Sequence, residues 1–190
     1  LRRLTHYDYW KDRLRPSFLV ESGADLLTYG VGDRVVVEMA RRLHNGFNLK
    51  RLSRLPQVAY LADRAPEGAC LLHSYEACVE SPEKFGENFT RIETESNRVE
   101  ASVLAERVGD RYVVVNPPYP YLTEAEMDRS FDLPYTRLPH PRYDGKGAIS
   151  AYEMIKHSVN LHRGCFGGCS FCTISAHQGK FIASRSKESI

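Results

Sequence analysis

Three cysteines near the C-terminal end have the spacing of a metal-binding loop. Cys165, Cys169 and Cys172 are separated by three and then by two residues. Thiolates on one short loop can each bind one iron of a cubane iron–sulfur cluster, and three of them leave the fourth iron open. Gly167 and Gly168 let the backbone curl closely around such a group, because they carry no Cβ. The pattern therefore predicts a [4Fe-4S] cluster with one iron free to bind another ligand.

Zinc is the alternative occupant of this loop. Cys169 and Cys172 form the C-x2-C pair common in zinc sites, Cys165 supplies a third ligand, and His162 or His177 could supply a fourth. The glycines and the three-residue spacing favour iron. A non-catalytic iron–sulfur or zinc-binding module nevertheless stays open as an alternative function.

The two remaining cysteines, Cys70 and Cys78, lie far from the loop in sequence and lack its glycine-rich surroundings. We interpret both as small buried apolar residues, which is the usual environment of a free cysteine. A total of five cysteines without a secretion signal also argues against a disulfide framework.

Polar residues around the loop have weaker claims to a role. Arg163 could offset the negative charge of a cluster or be a solvated strand-end residue. His177 and Gln178 could lie near the cluster or cap local backbone groups. We expect His140 and His157 to be structural or exposed. No catalytic side chain is identified.

The segments on either side of the loop should position it. Residues 158–161 predict a strand leading directly into the first cysteine, and residues 185–188 predict the start of a helix with Ser186 as its cap. Residues 134–157 are rich in Pro, Gly, Tyr and His and predict an irregular, mainly extended connector at a domain boundary.

The first third of the chain predicts an α/β unit. Residues 25–29 indicate a short buried strand and residues 30–33 a glycine turn, after which Asp33 can cap a helix over 34–44 that stops at Asn45-Gly46. A glycine turn before a helix can present amides to a phosphate or cofactor. With only two glycines and no full fingerprint, a structural turn is the favoured interpretation.

The middle of the chain predicts further strands and helices. Residues 56–61 indicate an edge strand, and residues 82–106 a polar helical stretch that breaks near Asn97. Residues 111–115 indicate a strand, and residues 123–126 a capping box that opens a short helix.

Composition limits the class of protein. The 190 residues are 42% hydrophobic and 26% charged, with a net charge of +2, which is ordinary for a globular protein and argues against general disorder. The near balance of charge does not support a dedicated nucleic-acid or membrane-surface binder.

No apolar run reaches the ~20 residues that cross a bilayer, and the basic residues at the N-terminus are not followed by the apolar core of a signal peptide. The expected location is the cytoplasm. Because the first residue is Leu1, we expect an internal piece of a longer protein.

The loop and several other segments resemble one known family. The string RGCFGGCSFC at 163–172, with an aromatic residue before the last cysteine, resembles the radical S-adenosylmethionine (SAM) signature. Together with other segments it resembles the YgiQ family of uncharacterised radical SAM proteins. Those segments are 6–10, 24–30, 112–118, 133–135, 177–180 and 185–190.

The resemblance implies a function and a site. Cys165, Cys169 and Cys172 would hold a [4Fe-4S] cluster, and Phe171 would lie beside it near the adenosyl group of SAM. A one-electron reductant such as flavodoxin or ferredoxin would supply the electron that cleaves SAM to a 5′-deoxyadenosyl radical, which acts on an unknown substrate. The cobalamin-binding histidine motif of some relatives is missing from this sequence, so that cofactor is not predicted.

The resemblance also implies the fold. Residues 1–133 would be the end of a Rossmann-like α/β domain, 134–157 the connector, and 158–190 the first strand and cluster loop of a truncated partial (β/α) barrel. A full barrel needs ~250 residues, so we expect the fragment alone to be inactive. An RNA-modifying or methylthiolating radical SAM protein shares the cysteine spacing and is a further alternative. Such a protein should show additional cluster cysteines and a basic RNA-binding domain, and neither is visible in this sequence.

Overall fold

The computed structural model describes residues 2–190 and is mixed α/β. The strands are β1 (His6–Asp8), β2 (Arg13–Arg15), β3 (Leu26–Thr28), β4 (Val58–Ala62), β5 (Cys70–Leu71), β6 (Leu104–Val108), β7 (Arg111–Val115), β8 (His162–Arg163) and β9 (Ala183–Ser184). The helices are α1 (Phe18–Ser22), α2 (Asp33–His44), α3 (Leu49–Leu52), α4 (Tyr75–Glu80), α5 (Pro82–Ser96), α6 (Glu124–Phe131), α7 (Ser150–Ile155) and α8 (Ile174–Gln178), with a 3₁₀ turn at Pro141–Tyr143.

A five-stranded sheet in the order β3-β4-β7-β6-β5 forms the body of the protein. Only β5 and β6 are parallel, whereas the other three neighbouring pairs are antiparallel. An α/β fold is therefore confirmed. A Rossmann-like domain has a mainly parallel sheet, and the described strands do not show that arrangement, so this finer description is not confirmed.

The central strand β7 contains consecutive apolar residues, as expected for a strand that is buried on both faces of the sheet. Val113, Val114 and Val115 are all buried, so side chains on both faces of the sheet are removed from water. One face packs against a cluster that includes Leu4, Leu72 and Leu104, whereas a second buried cluster gathers Val35, Leu52, Leu55 and Val58 under α2.

Two predictions for the middle of the chain were wrong. The strand predicted as an edge strand is β4, which lies inside the sheet between β3 and β7. The predicted helical stretch to residue 106 ends at Asn97, and residues 104–108 form β6 instead. Gly109, at a φ of +61°, closes a tight hairpin between β6 and β7. This non-local pairing overrides the helical appearance of the charged sequence before it.

The helix predicted between β3 and β4 and the capping box predicted after β7 are both present in the structure. The helix predicted over 34–44 is α2, which ends at Asn45 as expected. Asp33, however, is not its cap: Gly32 holds the N-cap position, and the Asp33 carboxylate accepts a hydrogen bond from Ser130 Oγ at 2.8 Å. The capping box at Thr123 and Glu126 is confirmed. Hydrogen bonds from Arg34 and from Thr123 lower the pKa of Glu126 to about 2.

The predicted connector, residues 134–157, carries no strand in the structure, but it includes the 3₁₀ turn and the short helix α7. The strand predicted at 158–161 is wrong, because the paired residues are those of β8, immediately after it. Ser186 does not start a helix within the described chain; its Oγ accepts a hydrogen bond from Ser189 N in a turn. None of the described helices has the length and apolar character needed to cross a bilayer.

Candidate metal centre

The cysteine loop is closed at its base by backbone pairing. Strand β8, just before the loop, pairs antiparallel with β9, just after it. Beyond the ladder, the Cys165 amide donates a hydrogen bond to Gly179 O at 3.0 Å. The two ends of the segment that carries all three cysteines are therefore held together, which leaves the loop between them to face outwards.

Gly164 makes this closure possible. Its φ is +92°, and a Cβ at this position would lie 1.9 Å from Phe181 O and 2.8 Å from Phe181 C. No other residue type fits against this carbonyl without a backbone shift. The Gly164 amide donates to Gln178 Oε1 at 3.1 Å. Of the two roles considered for Gln178, the structure therefore supports the capping of local backbone.

Two of the three thiols converge on Gly167. A Cβ built there would lie 3.3 Å from Cys165 Sγ and 3.7 Å from Cys169 Sγ, so both sulfurs flank the same side of its backbone. The Gly167 amide points at Cys165 Sγ at 3.4 Å. A turn in which the Cys172 amide donates to Cys169 O at 3.0 Å brings the third cysteine back toward the second.

Among residues 2–190, no three Cys, His, Asp or Glu side chains converge tightly enough to hold one metal ion. The third thiol, Cys172, is half-buried, and Cys169 is exposed. Phe171 is 89% exposed beside them. The assignment of Cys165, Cys169, Cys172 and Phe171 to a cluster and its cofactor thus stays a prediction, supported by the chemistry of the donor set and by the glycines that free the loop backbone.

Arg163 has a different role from either of the two predicted for it. Its guanidinium forms an ion pair with the Asp33 carboxylate and lies over the Phe131 ring, 5.2 Å from the centroid. It is neither aimed at the thiols nor free in solvent. This pairing could not be predicted from local sequence, because Asp33 and Phe131 lie on α2 and α6, far from the loop along the chain.

Further contacts attach the loop base to the rest of the fold. Lys180 forms an ion pair with Glu93 on α5, and the Phe181 ring packs on Tyr121 with centroids 4.3 Å apart. The Ser186 amide donates to Asp128 Oδ1 at 2.9 Å. The N-terminal α/β region therefore holds the segment after the cysteines at several points.

Of the two cysteines outside the loop, Cys78 is a buried core residue as predicted, whereas Cys70 is only partly buried. Cys78 is fully buried, accepts a hydrogen bond from Asn88 Nδ2 at 3.2 Å, and has a pKa raised by burial to about 11. Such a thiol stays protonated at neutral pH, whereas a metal ligand must be a thiolate. Cys70 is partly buried and packs against the sheet core.

Of the four histidines considered in the sequence analysis, His140 and His157 are as expected, and nothing tests the roles considered for His162 and His177. His140 caps the 3₁₀ turn by accepting a hydrogen bond from the Arg142 amide at 3.1 Å, and His157 is exposed. His177 lines a cavity behind the loop base, and His162 lies exposed in β8.

Comparison with known proteins identifies the family. A model of the radical SAM N-terminal family matches residues 1–158, which covers most of the chain and ends before the cysteine loop. The chain belongs to this family. The resemblance to the YgiQ-type radical SAM proteins is thereby confirmed, since curated relatives carrying the name UPF0313 match along the whole chain.

Three of the UPF0313 relatives illustrate the extent of the match. This radical SAM N-terminal chain is 57% identical to a UPF0313 protein of Porphyromonas gingivalis, 52% to one of Bacteroides thetaiotaomicron and 40% to one of Thermotoga maritima. Each match covers 100% of the chain but only 31%, 33% and 34% of the relative. The chain thus spans about a third of the length of these relatives. No solved structure matches it.

Proposed function

We propose that this chain contributes the N-terminal region and the cluster loop of a radical SAM enzyme. Cys165, Cys169 and Cys172 would hold a [4Fe-4S] cluster through three thiolates. The observation that carries the proposal is the loop itself: three cysteines on a glycine-rich segment whose ends are paired by β8 and β9. Membership of the radical SAM N-terminal family supports the same assignment.

A cluster held by these three thiolates would supply the one-electron reductive cleavage of SAM to methionine and a 5′-deoxyadenosyl radical. The chain's own residues would position this chemistry. Gly164 and Gln178 hold the start of the loop, Gly167 leaves room beside two of the sulfurs, and the exposed Phe171 is free to cover the adenosyl group. The electron would come from a protein reductant such as flavodoxin or ferredoxin, and the substrate is unknown.

The proposed catalytic domain is a partial (β/α) barrel to which β8 and the cluster loop belong. Most of such a barrel would come from the remaining two-thirds of a protein as long as the UPF0313 relatives. SAM-binding side chains other than Phe171 would lie on those later strands. The isolated chain would accordingly fail to turn SAM over.

Metal and sulfide analysis tests the assignment. We expect anaerobically reconstituted full-length protein to contain about four irons and four sulfides per chain. Cys165→Ala, Cys169→Ala and Cys172→Ala should each lose most of the iron. Cys70→Ala, a cysteine outside the loop, is the matched control and should keep it. Stoichiometric zinc without sulfide would instead establish a zinc-binding module, and iron that depends on Cys70 would contradict the proposed ligand set.

A further inference from the structure

A cavity of about 480 Å³ lies behind the base of the cysteine loop. Part of its wall is β6 with Leu104 and Glu106, and another part is α5 with Asn88 and Ile92. Residues 175–181, which follow the cysteines, form part of the boundary, but no cysteine lines it. Its size falls in the range of small-molecule sites, and its walls are mainly apolar.

The charged side chains that line this cavity are almost all neutralised by a neighbour. The ion pairs are Arg34–Glu126, Arg98–Glu95, Arg163–Asp33 and Lys180–Glu93. The carboxylate of Glu106 accepts a hydrogen bond from the Thr5 amide at 2.8 Å.

Arg3 is the exception among these cations. Within residues 2–190 its guanidinium forms no ion pair, and its buried Nε has no hydrogen-bond acceptor. A cation removed from water without an anion is costly, since the lost hydration is not replaced. Burial lowers the pKa of Arg3 more than the nearby carboxylate of Glu93, which is already paired with Lys180, raises it.

The Arg3 side chain is nevertheless held in a defined place. Its guanidinium carbon lies 4.4 Å from the centroid of the Tyr29 ring, and the Tyr29 hydroxyl donates a hydrogen bond to Asn116 O. The guanidinium thus lies over a ring whose own hydroxyl is held in place. The result is a preformed fork of N–H donors, which is the geometry that binds oxyanions in a bidentate manner.

We propose that this cavity binds a small, mainly apolar molecule bearing one oxyanion, a carboxylate or a phosphate, and that Arg3 binds the anion. The apolar part of the ligand would lie between the sheet and α5, against Leu104 and Ile92. The site is separate from the cysteines and requires no cluster, so the proposal stands or falls independently of the radical SAM assignment.

Three naphthalene probes test the proposal on the full-length protein by isothermal titration calorimetry. Naphthaleneacetate and naphthyl phosphate carry the two oxyanions, and naphthaleneacetamide is the neutral counterpart of the first. We expect at least one anion to bind about tenfold more tightly than the amide. The tighter of the two anions identifies the class of the natural ligand.

Variants decide whether Arg3 is responsible. Arg3→Met should abolish the preference for the anion, whereas Arg3→Lys, which keeps the charge but loses the planar fork, should retain part of it. Arg41→Met removes an arginine whose side chain is 66% exposed on α2 and should change nothing. Equal binding of amide and anions, an unchanged preference in Arg3→Met, or no binding of any probe would overturn the proposal. The Arg3→Lys variant and its melting temperature guard against a loss of binding caused by misfolding.

Discussion

Asp33 at the start of α2 forms an ion pair with Arg163 at the base of the cysteine loop, although the two residues lie 130 positions apart. The side chains are 22% and 28% exposed, so the pair is partly shielded from solvent. Arg163 precedes the first cysteine by two positions. The N-terminal α/β region therefore contributes directly to the placement of the proposed cluster loop.

Removal of this ion pair should loosen the loop base. Asp33→Asn should destabilise the fold by about 1 kcal/mol, since a partly exposed pair contributes on that order. It should also raise hydrogen exchange of the amides in residues 162–165 and 179–184. Glu38→Gln, which removes the partner of Arg41 and Arg42 on the outer part of α2, is the control. Equal protection of the loop base in both variants would contradict the role assigned to Asp33.

The clash at Gly164 predicts a sharp difference between two glycine substitutions. Gly164 and Gly168 both have positive φ, at +92° and +59°, so alanine is strained at either position. Only at Gly164 does the new Cβ meet a backbone carbonyl, whereas at Gly168 nothing lies within 4 Å. Gly164→Ala should therefore open the β8–β9 pairing and lower iron incorporation, and Gly168→Ala should retain most of both. Hydrogen exchange and iron analysis provide the two measurements.

A result in the opposite order would show that the loop base does not close as described. If Gly168→Ala lost iron while Gly164→Ala kept it, the local conformation at the second glycine would matter more than the packing of the first against Phe181.

Much of this organisation was predictable from local sequence, and the rest required non-local contacts. The β7 strand and the Thr123 capping box follow from short-range patterns and are found where expected. The β6 strand was missed because its charged sequence resembles the helix before it, and only pairing with β7 decides its conformation. The cysteine spacing identified the loop. The roles of Asp33 and Glu93 in holding the loop base could not be predicted from local sequence, because their partners, Arg163 and Lys180, lie far away along the chain.

Glu106 should make stability depend on pH. Its side chain is 1% exposed, and burial raises its pKa from 4.5 to about 7. The folded state therefore binds the proton more tightly than the unfolded state does, so the folded protein loses stability as pH rises through that interval. The loss is about 3 kcal/mol for a shift of this size. Urea unfolding at pH 5 and pH 8 should show it.

Glu106→Gln should remove most of this pH dependence, since the amide oxygen can still accept the hydrogen bond from the Thr5 amide and carries no charge. The exposed Glu67→Gln is the control and should leave the pH dependence as it is. An unchanged pH dependence in Glu106→Gln would place its origin elsewhere.

The isolated chain should not cleave SAM. The proposed active site needs the later strands of the barrel, and the chain spans only about a third of its UPF0313 relatives. Chromatography of reduced, reconstituted chain incubated with SAM should show no more 5′-deoxyadenosine than its Cys165→Ala variant. Product formation above that control would mean that residues 1–190 suffice for the reaction.

Electron paramagnetic resonance can test whether the three-cysteine loop holds a [4Fe-4S] cluster with an open iron for SAM. The full-length protein would be reconstituted anaerobically, reduced and recorded with and without SAM. We expect a cubane signal that changes when SAM is added and that is lost in Cys165→Ala. A cluster signal that SAM does not change would contradict an open iron. The absence of any cluster signal, in a protein that contains stoichiometric zinc, would contradict the cluster itself.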